Sequence, residues 1–421
     1  MTSKFRLKEI PIELDELFLI YKQIVNELIS YVYDRNITSF YRLKNAKYKE
    51  LRNRYLYLPS HYIYTACQMA TSIFKSYRKK RRKGKAKGKP VFKKDVIMLD
   101  DHLFKLDLEN GIIRLSTPNG RISLEFYPAK YHEKFKDWRV GQAWLVRTPK
   151  GVFINIVFSK EIEIGEPKSF IGIDLNENNV TLSIPNGEFV QIITHEREIR
   201  TGYFVKRRKI QKKIRTGKRR KALLQKYGER EKNRLNDLYH KIANVIVEFA
   251  KRYGGITLED LTEIRESIMY SAKMNGRLHR WSFRKLQSII EYKAKLNGIK
   301  VVFVNPSYTS SRCPICGNKL SPKGHRILEC SNCGLKTNRD VIGSWNIRLK
   351  ALKMWGVSVP PESQPMKTGG WKGKFQNGIE FSTIKAEYFF DNPPIWHSQK
   401  FSVHALFDVQ TTIRRSEYGR F

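Results

Sequence analysis

Four of the five cysteines fall within 21 residues as two knuckles, Cys313-Pro314-Ile315-Cys316-Gly317 and Cys330-Ser331-Asn332-Cys333-Gly334. Thiolates are soft ligands, and two such knuckles can set four sulfurs on a tetrahedron about 2.3 Å from one zinc ion. Two disulfides or four unrelated buried thiols are plainer readings, but mirrored pairs this close rarely arise by chance. Cys313, Cys316, Cys330 and Cys333 are therefore expected to hold one structural zinc. A four-sulfur site has no open position, so the metal fixes loops and leaves chemistry to other residues. Cys67, alone in an apolar helical pattern, reads as a core thiol.

Three carboxylates stand where regular elements begin or end. Asp174 is the one charge in the run Phe170 to Leu175, Glu259 closes Ile256-Thr257-Leu258, and Asp340 opens a helical pattern from Val341 to Leu352. A buried carboxylate costs several kcal/mol unless it is paired or bound to a metal. Taken singly, Asp174 could cap a turn and Asp340 a helix N-terminus. As a set, in this order and in so basic a chain, they are expected to hold one or two Mg²⁺ ions. Two such ions about 3.5–4 Å apart activate a water and stabilise the leaving oxygen of a phosphodiester.

The charge balance names the partner class. Lys+Arg is 80 against 40 for Asp+Glu, a net charge of +40, which repels itself unless a polyanion neutralises it. Nucleic acid is the default partner. Two stretches concentrate the charge: Arg78 to Lys94 with eleven basic residues and no acid, and Lys206 to Arg234 with fifteen against two acids. Both are expected to touch backbone phosphates. No run of about eighteen apolar residues could span a bilayer, and the opening MTSKFRLKEI lacks the apolar core of a signal peptide. The expectation is no membrane partner and a cytoplasmic, nucleoid-associated location, where a reducing milieu suits metal-binding cysteines.

The elements that must position these groups follow from periodicity. With 421 residues, 41% of them hydrophobic, the chain has material for two or three cores. After a short strand ending near Ile10, Leu17, Tyr21, Ile24, Leu28 and Val32 recur at helical spacing. Further helices are expected from Tyr41 to Tyr55 and from Tyr62 to Tyr77, the latter capped by Ser60. From Leu106 to Ser159 the period becomes two, with turns at Pro118-Asn119-Gly120 and Thr148-Pro149-Lys150-Gly151, predicting one antiparallel sheet or small barrel. Phe170 to Leu175, Val180 to Ile184 and Phe189 to Ile193 predict a meander; helices broken near Gly217, a strand ending at Glu259, a helix from Trp281 to Leu296 and a strand from Lys300 to Val304 follow. Three strands, a helix, a fourth strand, a helix and a final helix is the order of a ribonuclease-H-like fold.

Phe170-Ile171-Gly172-Ile173-Asp174-Leu175, Ile256-Thr257-Leu258-Glu259-Asp260-Leu261, and the segment from Tyr308 through the four cysteines to Asn338-Arg339-Asp340 resemble the TnpB-type, OrfB-like proteins of insertion sequences. These are similar to type V CRISPR effectors and carry a split RuvC nuclease with an inserted zinc ribbon. The resemblance, which covers about residues 5 to 356, implies an α/β multidomain chain: a wedge-like β domain (1–10 plus 86–165), a helical recognition lobe (11–85), a RuvC, RNase H-like nuclease (166–304 plus 336–356) and the zinc ribbon (305–335); the C-terminal tail (357–421), rich in Pro, Gly and aromatics, matches no family motif and is expected to be partly disordered. The resemblance also implies that Asp174, Glu259 and Asp340 are the catalytic, magnesium-binding acids. Guide RNA from the element end and target double-stranded DNA would be the partners, with guide pairing supplying most of the specificity. Asn176 stands where the family usually has glycine, Asn338 replaces an acid, and Ile342-Gly343-Ser344 replaces a common Asn-Ala-Ala.

The sequence thus points first to an insertion-sequence-encoded, RNA-guided, Mg²⁺-dependent DNA endonuclease. A non-catalytic zinc-ribbon regulator of transposition that binds DNA or RNA is the second reading. A transposase that joins strands directly through the same metal site is the third.

Overall fold

The computed structural model describes residues 1–262, 271–356 and the strand 383–387; apart from that strand, the expected tail lies outside the described residues. Two compact units divide the chain, residues 1–161 and 162–421.

The first unit begins with β1 (Thr2–Arg6) and three helices, α1 (Glu13–Asp34), α2 (Phe40–Arg54) and α3 (Ser60–Arg82). Leu17, Tyr21, Ile24, Leu28 and Val32, predicted as one stripe of α1, are all buried. Glu13, Asp15 and Glu16 in the first turn complement its dipole, and just past its end Asn36 takes the left-handed conformation that Asn tolerates. α3 departs from expectation at both ends. Pro59 holds the cap position and Ser60 is already helical, because a proline's fixed φ and missing N–H are harmless ahead of the first turn. The helix also runs on through five residues of the basic stretch to Arg82, where cations favour a helix C-terminus, and breaks at Gly84.

The strands that follow are β2 (Val96–Leu99), β3 (Phe104–Asp107), β4 (Ile112–Thr117), β5 (Gly120–Glu125), β6 (Arg139–Thr148) and β7 (Gly151–Ser159). They form two sheets, β1-β7-β6-β2 and β3-β4-β5, rather than the single sheet or barrel expected. A 3-10 turn over Lys130–Phe135 carries the chain away from β5 before β6 begins, so the two predicted hairpins do not pair; Leu7 and Phe126 form an isolated bridge. One continuous apolar core runs from α1 through α3 to β7.

The second unit is built on a mixed sheet. β8 (Ser169–Leu175), β9 (Asn179–Ser183) and β10 (Phe189–Ile193) form the expected antiparallel meander. After α4 (Glu196–Lys213) and α5 (Lys218–Lys251), β11 (Gly254–Glu259) adds parallel to β8; α6 (Ala272–Arg280) and α7 (Phe283–Leu296) lead to β12 (Lys300–Val304), parallel to β11. α6 went unpredicted because it is only nine residues long and carries Gly276 at its centre, so Met274 and Leu278, one turn apart, are too short a pattern to read as a helix; Ser271 caps it by accepting from the Met274 N–H. The small strands β13 (Ser321–Pro322), β14 (Ile327–Glu329) and β15 (Lys336–Asn338) make a separate sheet before α8 (Arg339–Trp355), and β16 (Thr383–Glu387) pairs with β10.

The large sheet is covered on both faces, which is why β8 reads as a continuous apolar run. Ile171, Ile173, Ile256 and Leu258 pack with Leu238, Ile242 and Ile246 of α5 and Leu286 and Ile290 of α7. Phe170, Val302 and Val304 pack on the opposite face with Ile347, Ala351 and Leu352 of α8. α8 comes so close that a Cβ on Gly172 would overlap the Ser344 carbonyl, so only glycine fits there.

Candidate metal centres

Strand alternation decides which way the first two acids face. The β8–β11 register pairs Ile171 with Ile256 and Ile173 with Leu258, so Glu259, one residue further, stands level with Asp174. Since the four apolar partners face α5 and α7, Asp174 and Glu259 face α8. Asp340 lies in the first turn of α8, and three residues on, on the same helix face, a Cβ at Gly343 would lie 3.1 Å from Asp174 Oδ2. The fold therefore brings Asp174, Glu259 and Asp340 to one edge, from positions 166 residues apart in sequence at the extremes.

The edge is crowded with negative charge. Asp174 is 9% exposed, and burial first, then Glu259 and Asp340, push its carboxyl up to about 8. Burial also raises Glu259, against Thr309, whose Oγ1 donates at 2.6 Å to Oε1, and against Lys350 and Arg339. Asp340 is 2% exposed; Asn179 Nδ2 donates to its Oδ2 at 2.9 Å and Arg326 pairs with its Oδ1. Hard carboxylate oxygens repelling one another fit a divalent cation such as Mg²⁺.

Three sequence departures acquire physical roles. Asn176 donates to Asp174 Oδ2 at 2.9 Å, and Asn338 caps α8 by accepting from the Asp340 N–H at 2.9 Å. Asp340 is thus not the cap. Gly343 leaves the space that Asp174 occupies. Asn179, Thr309 and Arg326 carried no sequence signal, because a hairpin strand, a loop and the ribbon deliver them to the acids only in three dimensions.

At the other centre the four cysteine sulfurs all lie within 4.8 Å of one another, a condition the three carboxylates do not meet. Cys313 and Cys333 sulfurs stand 3.5 Å apart, and those of Cys316 and Cys330 3.4 Å. The knuckles are mirror copies. Gly317 N–H donates to Cys313 O and Gly334 N–H to Cys330 O, each at 2.9 Å, with both glycines at positive φ. Burial raises Cys313 and takes Cys333 up to about 11; at Cys316 burial is outweighed by hydrogen bonds from Asn332 and the Asn318 backbone, leaving it at about 7. Four convergent sulfurs with one thiol already near neutrality fit zinc, which replaces the thiol protons. Ile315, Leu320, Leu335 and Ile342 pack beside them, so α8 is anchored in the ribbon two residues after Asp340.

A family model described as the Cas12f1-like TNB domain matches residues 283–347, and the Uncharacterized protein MJ0013 family matches residues 17–116. TnpB-like protein MJ0751 of Methanocaldococcus jannaschii is 38% identical over 280 residues, which is 63% of this chain and 99% of that protein. TnpB-like protein MJ1635 of the same organism is 28% identical over 319 residues, 72% of each chain. The CRISPR-associated endodeoxyribonuclease Cas12f1 of Sulfoacidibacillus thermotolerans is 38% identical over 115 residues, 26% of each. Among solved structures, the Cas12f1–sgRNA–target DNA complex aligns over 80% of this chain and 81% of that one, with a TM-score of 0.55 at 18% identity, a likeness of mixed α/β fold. A full-length match to one relative, joined to the ribbon match and the effector-like fold, makes the chain a member of the TnpB-like protein family, a relative of the type V effectors.

Proposed function

We propose that the protein is an insertion-sequence-encoded, RNA-guided DNA endonuclease whose RuvC, RNase H-like nuclease spans 166–304 plus 336–356, with the zinc ribbon at 305–335. The observation that carries this reading is the convergence of Asp174, Glu259 and Asp340 on the α8 side of the sheet. Its support from relatives is that Cas12f1 proteins are named endodeoxyribonucleases and that a solved one is held with sgRNA and target DNA.

Asp174, Glu259 and Asp340 would hold Mg²⁺, which when bound supplies an activated water and charge stabilisation at the departing oxygen. The chain's residues set the stage for that chemistry. Asn176, Asn179 and Thr309 fix carboxylate oxygens through hydrogen bonds. Arg326 neutralises Asp340, a role that a bound cation would share or take over. Zinc on Cys313, Cys316, Cys330 and Cys333 keeps the ribbon folded and with it the first turn of α8. The basic stretches 78–94 and 206–234 bind backbone phosphates, one partner being guide RNA from the element end and the other the target duplex. A cytoplasmic, nucleoid-associated site of action follows from those partners.

The test gives protein co-expressed with its RNA a matching duplex and Mg²⁺. Wild type is expected to cleave, and Asp174→Ala to lose cleavage by orders of magnitude while keeping RNA affinity, since the acids act as a unit. Ca²⁺ should support binding with little cleavage, and Mn²⁺ should replace Mg²⁺. Equal cleavage by wild type and Asp174→Ala, or none by wild type across a library of flanking sequences, would favour the non-catalytic regulator. Joined rather than cut product would favour the transposase.

A further inference from the structure

Between α5 and α7 lies a cavity of about 210 Å³, lined by Arg200, Gly228, Glu231, Lys232, Tyr239 and Lys285, together with Ser282. Its floor is a closed polar network. Arg200 Nε donates to Glu196 Oε1 at 2.6 Å and its NH2 to Tyr239 Oη at 2.8 Å; Tyr239 Oη donates to Glu196 Oε1 at 2.6 Å, and Arg207 pairs with Glu231. Two arginines and two glutamates therefore balance below the cavity. The rim does not balance: Lys232 and Lys285 are exposed, and among the described residues no carboxylate pairs with either. Lys285 donates instead to the neutral Asn236 Oδ1. Partial burial of its stem, then the neighbouring Lys232 and Arg200, lower its pKa.

Two further details suit an anion. Ser282 is the N-cap of α7, its hydroxyl makes no capping bond, and the cavity sits at that positive helix end. Gly228 stands inside the 34-residue α5, where glycine costs about 1 kcal/mol relative to alanine. No packing within the chain demands it, since a Cβ there would meet nothing within 4 Å. Gly228 lines the cavity, so a longer side chain at that position would extend into it.

We propose that this cavity is a phosphate-binding pocket, separate from the carboxylate edge, in which Lys232, Lys285, Ser282 and the buried Arg200 hold one phosphate group. Its nucleic-acid source rests on the function proposed above; the pocket's preference for phosphate does not. A ribose-phosphate backbone lying along α5 would deliver such a group, with the rest of the basic stretch contacting its neighbours.

The test has two arms on the full zinc-loaded chain. In the first, inorganic phosphate and pyrophosphate are titrated without divalent metal while Tm is followed, since a ligand that binds only the folded state raises it. Wild type should gain Tm with phosphate beyond an ionic-strength-matched chloride control, and Lys232→Gln with Lys285→Gln should lose that gain. In the second, the affinity for single-stranded RNA is measured against salt, where each lost phosphate contact flattens the slope of log K against log salt by about 0.7. Gly228→Leu is the decisive variant in both arms: it fills the cavity with no change of charge and replaces a poor helix former with a good one. It should abolish the phosphate gain and flatten the RNA slope. Loss of the phosphate gain with an unchanged RNA slope would support the pocket and assign it to a free phosphate or nucleotide. Gly228→Leu behaving as wild type in both arms would overturn the proposal, and because neither arm reads cleavage, that result is independent of whether the protein cuts DNA.

Discussion

The two candidate metal centres share one unit and even one helix, yet they are assembled in opposite ways. The ribbon draws its four ligands from 21 residues, and each knuckle closes on its own backbone through a glycine at positive φ. The carboxylate edge draws its three acids from β8, β11 and α8, and nothing local brings them together. Its geometry is inherited from a parallel strand register and from the close approach of α8 to Gly172. Zinc on the four cysteines would therefore serve stability. The edge's acids oppose it, because mutually repelling buried carboxylates are destabilising until a cation arrives.

Breaking the ribbon should have the largest effect. Cys330→Ser should lower zinc from one per chain to well below one by metal analysis and unfold residues 305–335 in hydrogen exchange, since structural zinc contributes on the order of 10 kcal/mol to small domains. Cleavage should fall with it, as Ile342 of α8 sits in the ribbon core and Asp340 two residues before it. Full zinc content in the variant would dissolve the contrast between a local and an inherited centre.

At the edge, Asn179→Ala removes the hydrogen bond to Asp340 Oδ2 and should weaken Mg²⁺ binding about 10–100-fold, read from the Mg²⁺ concentration giving half-maximal cleavage, with zinc content unchanged.

The sign of the edge's contribution is testable by pH. With its carboxyl raised to about 8 from an ordinary value near 4, Asp174 binds a proton in the folded chain that the unfolded chain releases. Its stabilising contribution is complete below about pH 4 and is lost as pH rises to about 8. In Mg²⁺-free buffer Asp174→Asn should therefore be more stable than wild type by a margin that widens across that window, reaching roughly 5 °C in Tm. A constant difference would mean that neither burial nor the neighbouring acids hold Asp174 protonated.

The smallest effect is expected at Gly343→Ala. The added methyl meets Asp174 at 3.1–3.2 Å, while alanine favours the helix by about 1 kcal/mol, so global stability should change by less than about 1 kcal/mol. Mg²⁺ affinity should fall measurably as the carboxylate is displaced. An unaltered metal titration would show that the edge tolerates more slack than its packing suggests.

Element order was legible wherever burial imposed a period. The stripe of α1, the meander β8–β9–β10 and the short strands β11 and β12 could be read because each must hide an apolar face in a fixed direction. What escaped were α6, whose nine residues interrupted by Gly276 give too short a period to read, and the separation of the β segment into two sheets, at a 3-10 turn. The acids were nameable because a lone charge in an apolar run is anomalous, but their partners were not, since Asn179 and Arg326 look like any other polar residues.

By itself, then, the sequence determined the two cysteine knuckles, the basic stretches and three acids that interrupt or end apolar runs, because knuckle closure, charge density and apolar interruption are properties of neighbouring residues. Only the tertiary structure decided that Asp174 and Glu259 stand level, that Gly343 makes room for Asp174, that Arg326 reaches back to Asp340, and that Gly228 lines a cavity between α5 and α7. Each of these depends on strand register and helix approach, which are set by packing between segments far apart in the chain.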